Sequence, residues 1–241
     1  MTRLAADLSW NPPHSLRAPV MRQRWSHLTF LHWKCDPDLV ARHLPEELEA
    51  DTFRGEAWIS LTPFVLTVWP PAGPRLFQAP ETNLRTYVRH RGRSGIWFFS
   101  LDLGNAVGVG GARLTYGLPY CWSEMSVERR ADSTSYRCRR KWPPAAAGHQ
   151  ITVCVGEAID RDRLGDLGRF LTARWRLFVK RGPFLLEAPI EHPAFDFAQI
   201  DVTFLSESLT ATAGLLRPKE PPVAHFTPAV EVKIGAPRAA A

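Results

Sequence analysis

The stretch ETNLRTYVR at 81–89 alternates between two kinds of side chain. Its larger and mostly polar residues, Glu81, Asn83, Arg85 and Tyr87, fall on one face of an extended chain, and threonines and aliphatic residues fall on the other. This period of two predicts a β-strand. In an open sheet the polar face meets water, whereas in a closed barrel the same face lines the lumen.

Apolar runs between turn residues continue on both sides of this stretch. GIWFFSLDLG at 95–104 predicts a buried strand, and residues 48–69 predict two strands joined by a turn at Arg54 and Gly55. Further strands are predicted at 24–35, 135–142, 149–159, within 183–216 and at 229–234. PRLFQAP at 74–80 is predicted to be a loop, and GVGGAR at 108–113 a hairpin turn between strands.

Helix signals are few. Asp36 as N-cap and Pro37 at the first helical position predict a short helix. Leucines and phenylalanines at a spacing of three and four predict one long helix at about 162–180, which Gly182 and Pro183 end. So few helices leave little to cover the faces of a sheet. We therefore expect an α+β fold in which a large, mainly antiparallel sheet closes on itself.

The stretch ARLTYGLPYCWSEM at 112–125 contains a Gly-x-Pro step. It predicts a strand, a break at Gly117 and Pro119, and a second strand that begins at Tyr120. Neighbouring residues of a strand point to opposite sides. If Tyr120 faces the interior, Cys121 therefore faces an outer packing layer.

Composition bounds the organisation of the chain. Hydrophobic residues make up 45% of the 241, enough for one large core, and no low-complexity linker divides them. We treat 20–234 as a single domain, with a flexible leader at 1–19 and a flexible tail at 235–241. The net charge of +6 invites a nucleic-acid partner. The basic residues are scattered arginines with only five lysines, which favours a solvated basic surface and no nucleic acid.

Cysteine and histidine spacing gives no metal motif. The four cysteines contain no CxxC pair, and the histidines are isolated, so no metal is expected. No apolar run approaches the roughly 20 residues that span a bilayer. No secretory segment precedes the cysteines, so we expect a cytoplasmic protein without a membrane partner. The sequence does not decide whether the protein forms a homo-oligomer.

A resemblance to a known family is carried by ETNLRTYV, GIWFFSLDL and ARLTYGLPY, with LPEELEADTFRGEAWISLTPF upstream and FLTARWRLF and IEHP downstream. These motifs resemble the YqjF-like family of uncharacterised bacterial proteins, a domain of unknown function grouped with the acetoacetate-decarboxylase-like superfamily. The resemblance covers most of 21–234. It implies a cone-like, mostly antiparallel β-barrel with flanking helices, an internal pocket and no cofactor. HPAFDF at 192–197 departs from the family's pattern and leaves the role of the segment around His192 open.

Acetoacetate decarboxylases are similar in the order of their motifs. They carry a glutamate-bearing strand, a strand that ends in Gly-Arg-Glu, and then Gly-Tyr-Pro-Lys-Lys, whose first lysine forms the Schiff base. The similar order here is Glu81, then Gly111-Ala112-Arg113, then GLPYC at 117–121. Glu81 and Arg113 have counterparts, and both lysines are absent. Because imine formation needs a nucleophilic amine, the resemblance implies the scaffold without Schiff-base decarboxylation.

Two functions stay open. In the first, the barrel binds a small anionic or keto-acid-like metabolite, such as a carboxylate. Its predicted ligand-binding residues are Arg85, Arg113, Asn83, Tyr87 and Trp122. In the second, a cofactor-independent enzyme of lyase or hydrolase type uses Glu81 and Tyr120 as catalytic acid and base on a carbonyl compound. An exposed Glu81 would exclude both, and a buried Glu81 hydrogen-bonded to Tyr120 beside a cavity would favour the enzyme.

Overall fold

The computed structural model describes residues 8–143, 146–215 and 220–240. Its strands are β1 (Met21–Cys35), β2 (Glu49–Ala50), β3 (Ala57–Trp69), β4 (Phe77–His90), β5 (Arg93–Leu103), β6 (Tyr120–Arg129), β7 (Ser133–Trp142), β8 (Gly148–Ile159), β9 (Arg176–Arg181), β10 (Phe184–Glu191), β11 (Phe197–Glu207), β12 (Val223–Ile234) and β13 (Arg238–Ala239). Its helices are α1 (Pro37–Ala41), α2 (Ala106–Thr115), α3 (Gly165–Thr172) and α4 (Leu209–Thr212), with a 3₁₀ turn at Arg161–Leu164.

The strands of the described ranges form one sheet that closes on itself twice. Five of them pair in the order β12-β1-β3-β4-β5, here called the wall. One edge of β5 carries β6 at residues 101–103 and β9 at residues 96 and 97. One edge of β12 carries β11 and β10 in the same way. The wall with β9 and β10 forms the cavity ring, and the wall with β6, β7, β8 and β11 forms the second ring.

This arrangement confirms the predicted class, a large and mainly antiparallel closed sheet. Among the described strands, only β5–β6 and β5–β9 pair in parallel. The wall is buried on both faces because one face points into the cavity ring and the other points into the second ring. In β3, Phe64 and Leu66 pack into the core of the cavity ring, whereas Ile59 and Leu61 pack into the core of the second ring. Burial on both sides explains why this strand is nearly continuously apolar.

The predicted long helix at 162–180 is wrong. Its first half forms the 3₁₀ turn and α3, and the chain then becomes the strand β9, which pairs in parallel with β5. Leu177 and Val179 pack into the core of the cavity ring, and Phe178 between them packs into a separate cluster. The apolar residues of this segment therefore fit the period of two of a strand as well as the spacing of a helix. Only the pairing with β5 shows that the segment is a strand.

The predicted hairpin turn at 108–113 is also wrong, because these residues lie within α2. The Asn105 side chain accepts a hydrogen bond of 2.7 Å from the backbone N–H of Gly108 and so caps the helix. Three glycines in ten residues lower the helix propensity of this segment and hide the helix from a propensity argument. The first predicted strand of 112–125 is consequently the last turn of α2, while the second is confirmed as β6. The predicted loop at 74–80 is shorter than expected, since β4 begins at Phe77.

The short helix α1 begins as predicted, with the Asp36 side chain accepting a 2.8 Å hydrogen bond from the backbone N–H of Asp38.

The described chain ends pack on the barrel instead of lying free. Leu8 is buried in a cluster with Trp58, and Arg238–Ala239 pairs with β10. Residues 1–7 of the predicted leader and residue 241 of the predicted tail lie outside the described ranges. None of the helices in the described part of the chain combines the length and the apolar character that crossing a membrane requires.

Candidate functional site

A cavity of about 610 Å³ lies inside the cavity ring, and residues of α2 line one side of it. Its lining is mostly apolar side chains of the wall. Glu81, Asn83 and Arg85 of β4 and Tyr120 at the start of β6 also line it. The polar face that the alternation of 81–89 predicts therefore turns into the lumen, because β4 lies inside a closed ring.

Glu81 and Tyr120 form a buried pair. Only 3% of Glu81 is exposed, and the Tyr120 hydroxyl donates a 3.2 Å hydrogen bond to Glu81 Oε2. Burial raises the pKa of Glu81 to about 8, and the negative charge of Asp102 adds to this, although hydrogen bonds from Tyr120 and Asn83 oppose it. Burial, followed by the neighbouring Glu81, also raises the pKa of Tyr120 well above its ordinary value. At neutral pH both groups of this pair hold their protons.

Arg85 is a buried cation for which the described residues supply no anion. It is 6% exposed, and no carboxylate of the described residues forms an ion pair with it. Its Nε has no hydrogen-bond partner in the described part of the chain. The guanidinium carbon lies 5.6 Å from the centre of the Phe30 ring. Burial lowers the pKa of Arg85 from its ordinary value, yet an arginine keeps its charge in proteins. An uncompensated buried charge costs stability that a bound anion recovers.

Two neutral histidines, His32 and His192, lie near this arginine. Burial lowers the pKa of His32 well below its ordinary value, with smaller contributions from His225 and Arg85. Burial also lowers the pKa of His192 to about 4, despite a 2.7 Å contact between its Nδ1 and the carbonyl of Pro193. Sequence reasoning missed this group because its members come from distant segments, each with an isolated histidine. In the described residues, no group of three or more His, Cys, Asp and Glu side chains is arranged to hold a metal ion.

Tyr87 lies beneath the cavity and does not line it. Its hydroxyl donates a 2.8 Å hydrogen bond to the carbonyl of Leu171 and lies 2.6 Å from Ser60 Oγ. The alternation correctly places Tyr87 on the face of Arg85. Its hydroxyl is occupied by the contact between β4 and α3, so the geometry gives it a structural role instead of the predicted ligand contact.

Arg113 and Trp122, the other two predicted ligand-binding residues, lie outside the cavity. Arg113 is on the exposed side of α2, where its Nη1 donates a 2.7 Å hydrogen bond to the carbonyl of Tyr120. It points away because 108–113 is helical and not a turn that leads into a lumen. Through its hydrogen bond to Tyr120, Arg113 holds the start of β6 to α2. Trp122 is 44% exposed and pairs opposite Trp142 on β7.

Cys121 faces away from the cavity, as expected for the strand neighbour of Tyr120, which lines it. It does not line the cavity, and burial raises the pKa of its thiol to about 11, so it is protonated at neutral pH. The described lysines are Lys34, Lys141, Lys180 and Lys233, and none of them lines the cavity. Lys141 instead forms an ion pair of 3.0 Å with Glu124. The described cavity therefore offers acids, amides and a guanidinium, but no amine.

Residues 22–231 match the model of DUF2071, a family described as uncharacterized conserved proteins. The chain belongs to the DUF2071 family. This DUF2071 member is 33% identical over 211 residues to the uncharacterized protein YqjF of Bacillus subtilis (strain 168), covering 86% of this chain and 87% of YqjF. The resemblance stated from the motifs is thereby confirmed.

Solved structures share the fold of this DUF2071 member. The enduracididine biosynthesis enzyme MppR, in a complex with pyruvate, superimposes with a TM-score of 0.65 at 15% identity, covering 94% of this chain and 93% of MppR. An acetoacetate-decarboxylase-like enzyme from Sphingomonas wittichii RW1 gives a TM-score of 0.63 at 15% identity, covering 95% of this chain and 96% of that one. The fold is acetoacetate-decarboxylase-like.

Proposed function

We propose that the protein binds a small anionic, keto-acid-like metabolite in the cavity, with the ligand carboxylate on Arg85 and without Schiff-base chemistry. The observation that carries this proposal is the buried guanidinium, which has no anionic partner among the described residues. A carboxylate accepts charge-assisted hydrogen bonds from a guanidinium, often two in parallel, and so supplies the missing charge.

The surroundings of Arg85 support the same ligand class. Asn83, two residues away on the same face of β4, also lines the cavity, and its Oδ1 is buried without a hydrogen-bond partner in the described residues. His32 and His192 stay neutral beside the guanidinium, so they do not compete with Arg85 as a positive charge for the anion. The pyruvate bound to MppR is a keto acid, which agrees with this class although the two chains share only the fold.

The experiment measures thermal stability in the presence of pyruvate, acetoacetate and longer keto acids. We expect the wild type and Arg139→Met to be stabilised, and Arg85→Met not to be. Arg139 is a matched control because its side chain is exposed on β7 and contacts Glu124, away from the cavity. A ligand at one hundred times its Kd adds about 2.7 kcal/mol of stability. Equal stabilisation of Arg85→Met, or none of the wild type, would exclude the proposal.

A second candidate function, a cofactor-independent enzyme, is favoured by one observation. Glu81 is buried, hydrogen-bonded to Tyr120 and protonated at neutral pH beside the cavity, which is the arrangement that general-acid catalysis needs. On a β-keto acid, Glu81 would give its proton to the carbonyl oxygen. The electron pair of the breaking bond to the carboxylate would form the C=C bond of the enol, carbon dioxide would leave, and water would reprotonate Glu81.

Carbon dioxide release from a series of β-keto acids tests this second function. We expect activity to fall as the pH rises above about 8, where Glu81 loses its proton, and Glu81→Gln to lose activity while still binding the acid. Borohydride should trap no adduct in either protein, because no described lysine lines the cavity. Activity that survives in Glu81→Gln would exclude this role of Glu81.

A further inference from the structure

We infer that the ligand is an amphipathic monocarboxylic acid, with an aliphatic or aromatic body much larger than that of pyruvate. This inference rests on the proposed function, in which Arg85 holds the carboxylate. It adds the substrate class to that function. A three- or four-carbon acid held at Arg85 would leave most of the cavity volume, most of its lining and its opening without contact.

The size of the cavity exceeds what a short acid fills. Its volume of about 610 Å³ corresponds to roughly 20 water molecules at about 30 Å³ each. An acid of three or four carbons displaces on the order of four of these waters. The remaining space would hold water against apolar walls, where water finds few hydrogen-bond partners.

The lining divides into an end with ionisable groups and a remainder that carries no charge and is mostly apolar. Phe77 and Arg85 both line the cavity and are eight residues apart on β4, which is about 26 Å of strand. Near α2 the lining includes the apolar side chains of Phe77 and Leu103, and its polar members there, Asn105 and Thr115, carry no charge. Arg85 and Glu81 are the only guanidinium and carboxyl groups among the described lining residues. Since Glu81 is protonated at neutral pH, the cavity offers a place for one negative charge and for a long neutral body.

The opening is apolar as well. Leu76 and Val107 line the cavity and are 63% and 86% exposed. Large apolar side chains at the rim of a cavity cost hydration unless they meet an apolar group. Val107 belongs to α2 and Leu76 directly precedes β4, so the two side chains flank the end of the cavity away from Arg85. An acid with its head on Arg85 and its body toward α2 would match both ends.

The test measures the affinity of straight-chain monocarboxylates with 4 to 14 carbons, and of the primary alcohols of equal length, by calorimetry. We expect the acids to bind about fourfold more tightly per added methylene until the cavity is full, the fold-change that corresponds to about 0.8 kcal/mol. In the wild type each acid should bind at least tenfold more tightly than its alcohol. In Arg85→Met this difference should vanish while the dependence on chain length remains.

A second pair of variants tests where the body lies. Ala112 lines the cavity from α2, whereas Gly110 on the same helix is exposed, and a Cβ built on it meets no atom within 4 Å. We expect Ala112→Leu to weaken binding of the longest acids at least tenfold and to leave four-carbon acids unchanged. Gly110→Leu, the matched control, should bind the whole series like the wild type. Thr115→Leu, which also narrows the cavity from α2, replaces Ala112→Leu if that variant does not fold.

The outcomes separate this inference from the proposed function. Affinities that depend on Arg85 but not on chain length would overturn the inference and leave the proposed function standing. Affinities that rise with chain length equally for acids and alcohols, unchanged in Arg85→Met, would overturn the proposed function. Absence of binding across both series would overturn both.

Discussion

Two arginines are buried close to Tyr87, and they differ in their partners. The guanidinium of Arg174 contacts Asp51 at 2.6 Å and donates from Nε to the carbonyl of Phe170 at 2.8 Å. Arg85 has no such carboxylate in the described residues. Burial of its charge raises the energy of the ligand-free protein; the contact with Tyr87 offsets part of this cost, and the positive charge of Arg174 adds to it. A costly buried charge at a cavity is typical of a binding site, where function limits stability.

We therefore expect opposite effects from replacing each arginine by methionine, which has a similar length and no charge. Arg85→Met should raise the free energy of unfolding of the ligand-free protein by about 1–3 kcal/mol, because it removes an unpaired charge. Arg174→Met should lower it by about 3 kcal/mol, because Asp51 would keep only its ion pair with Arg89 of 2.7 Å. Urea denaturation measures both. Equal destabilisation by the two variants would show that Arg85 has a structural partner.

Glu81 couples stability to pH. Burial raises its pKa to about 8, whereas a glutamate in an unfolded chain titrates near 4.3. Between these values the folded protein binds the extra proton, so stability falls as the pH rises from about 4.3 to about 8. We expect the unfolding free energy of wild type relative to Glu81→Gln to decrease by up to about 4 kcal/mol over this window. A difference that stays constant with pH, or grows, would contradict a protonated Glu81.

At the scale of elements, the features that the sequence predicts are those with a local cause. The alternation of 81–89 places Glu81, Asn83 and Arg85 on one face without knowledge of any partner strand. The strand β9 has no such local cause. Residues 176–181 carry apolar side chains that fit a helix as well as a strand, and the pairing with β5 comes from about 80 residues earlier in the chain. Closure into two rings likewise depends on long-range pairing that a single sequence does not reveal.

The contact between β5 and β9 depends on the absence of a side chain at Gly95. A Cβ at this position would lie 2.5 Å from Cε2 of Phe178 on β9. We expect Gly95→Ala to lower the free energy of unfolding by about 1–3 kcal/mol, since packing around a new methyl group moves β9. Gly110→Ala on α2 should instead raise it by about 0.5–1 kcal/mol, because its Cβ meets no atom within 4 Å and alanine favours a helix. Chemical denaturation measures both variants, and a neutral Gly95→Ala would contradict this packing.

For the whole molecule, the shared wall joins the two rings into one structure. The second ring has its own core and a buried ion pair in which Arg140 Nε and Nη2 donate to Asp102 on the wall at 2.8 and 2.7 Å. The opposite face of the wall lines the cavity. Because both rings contain the wall, we expect the cavity to keep its shape only while the second ring is intact. Of the described second-ring strands outside the wall, only β6 lines the cavity, through Tyr120, so this effect on the site would be indirect.

A replacement in the second ring should therefore destabilise the entire protein in a single step. Ile151 on β8 is fully buried in the core of that ring and does not line the cavity. We expect Ile151→Ala to lower the unfolding free energy by about 2–5 kcal/mol. Calorimetry should give one transition, whose calorimetric and van't Hoff enthalpies agree, in wild type and variant. Amide exchange in β9 and β10, on the far side of the wall, should accelerate by the same free energy as in β7 and β8. Two transitions, with Ile151→Ala shifting only one, would mean that the wall holds the cavity ring without help from the second ring.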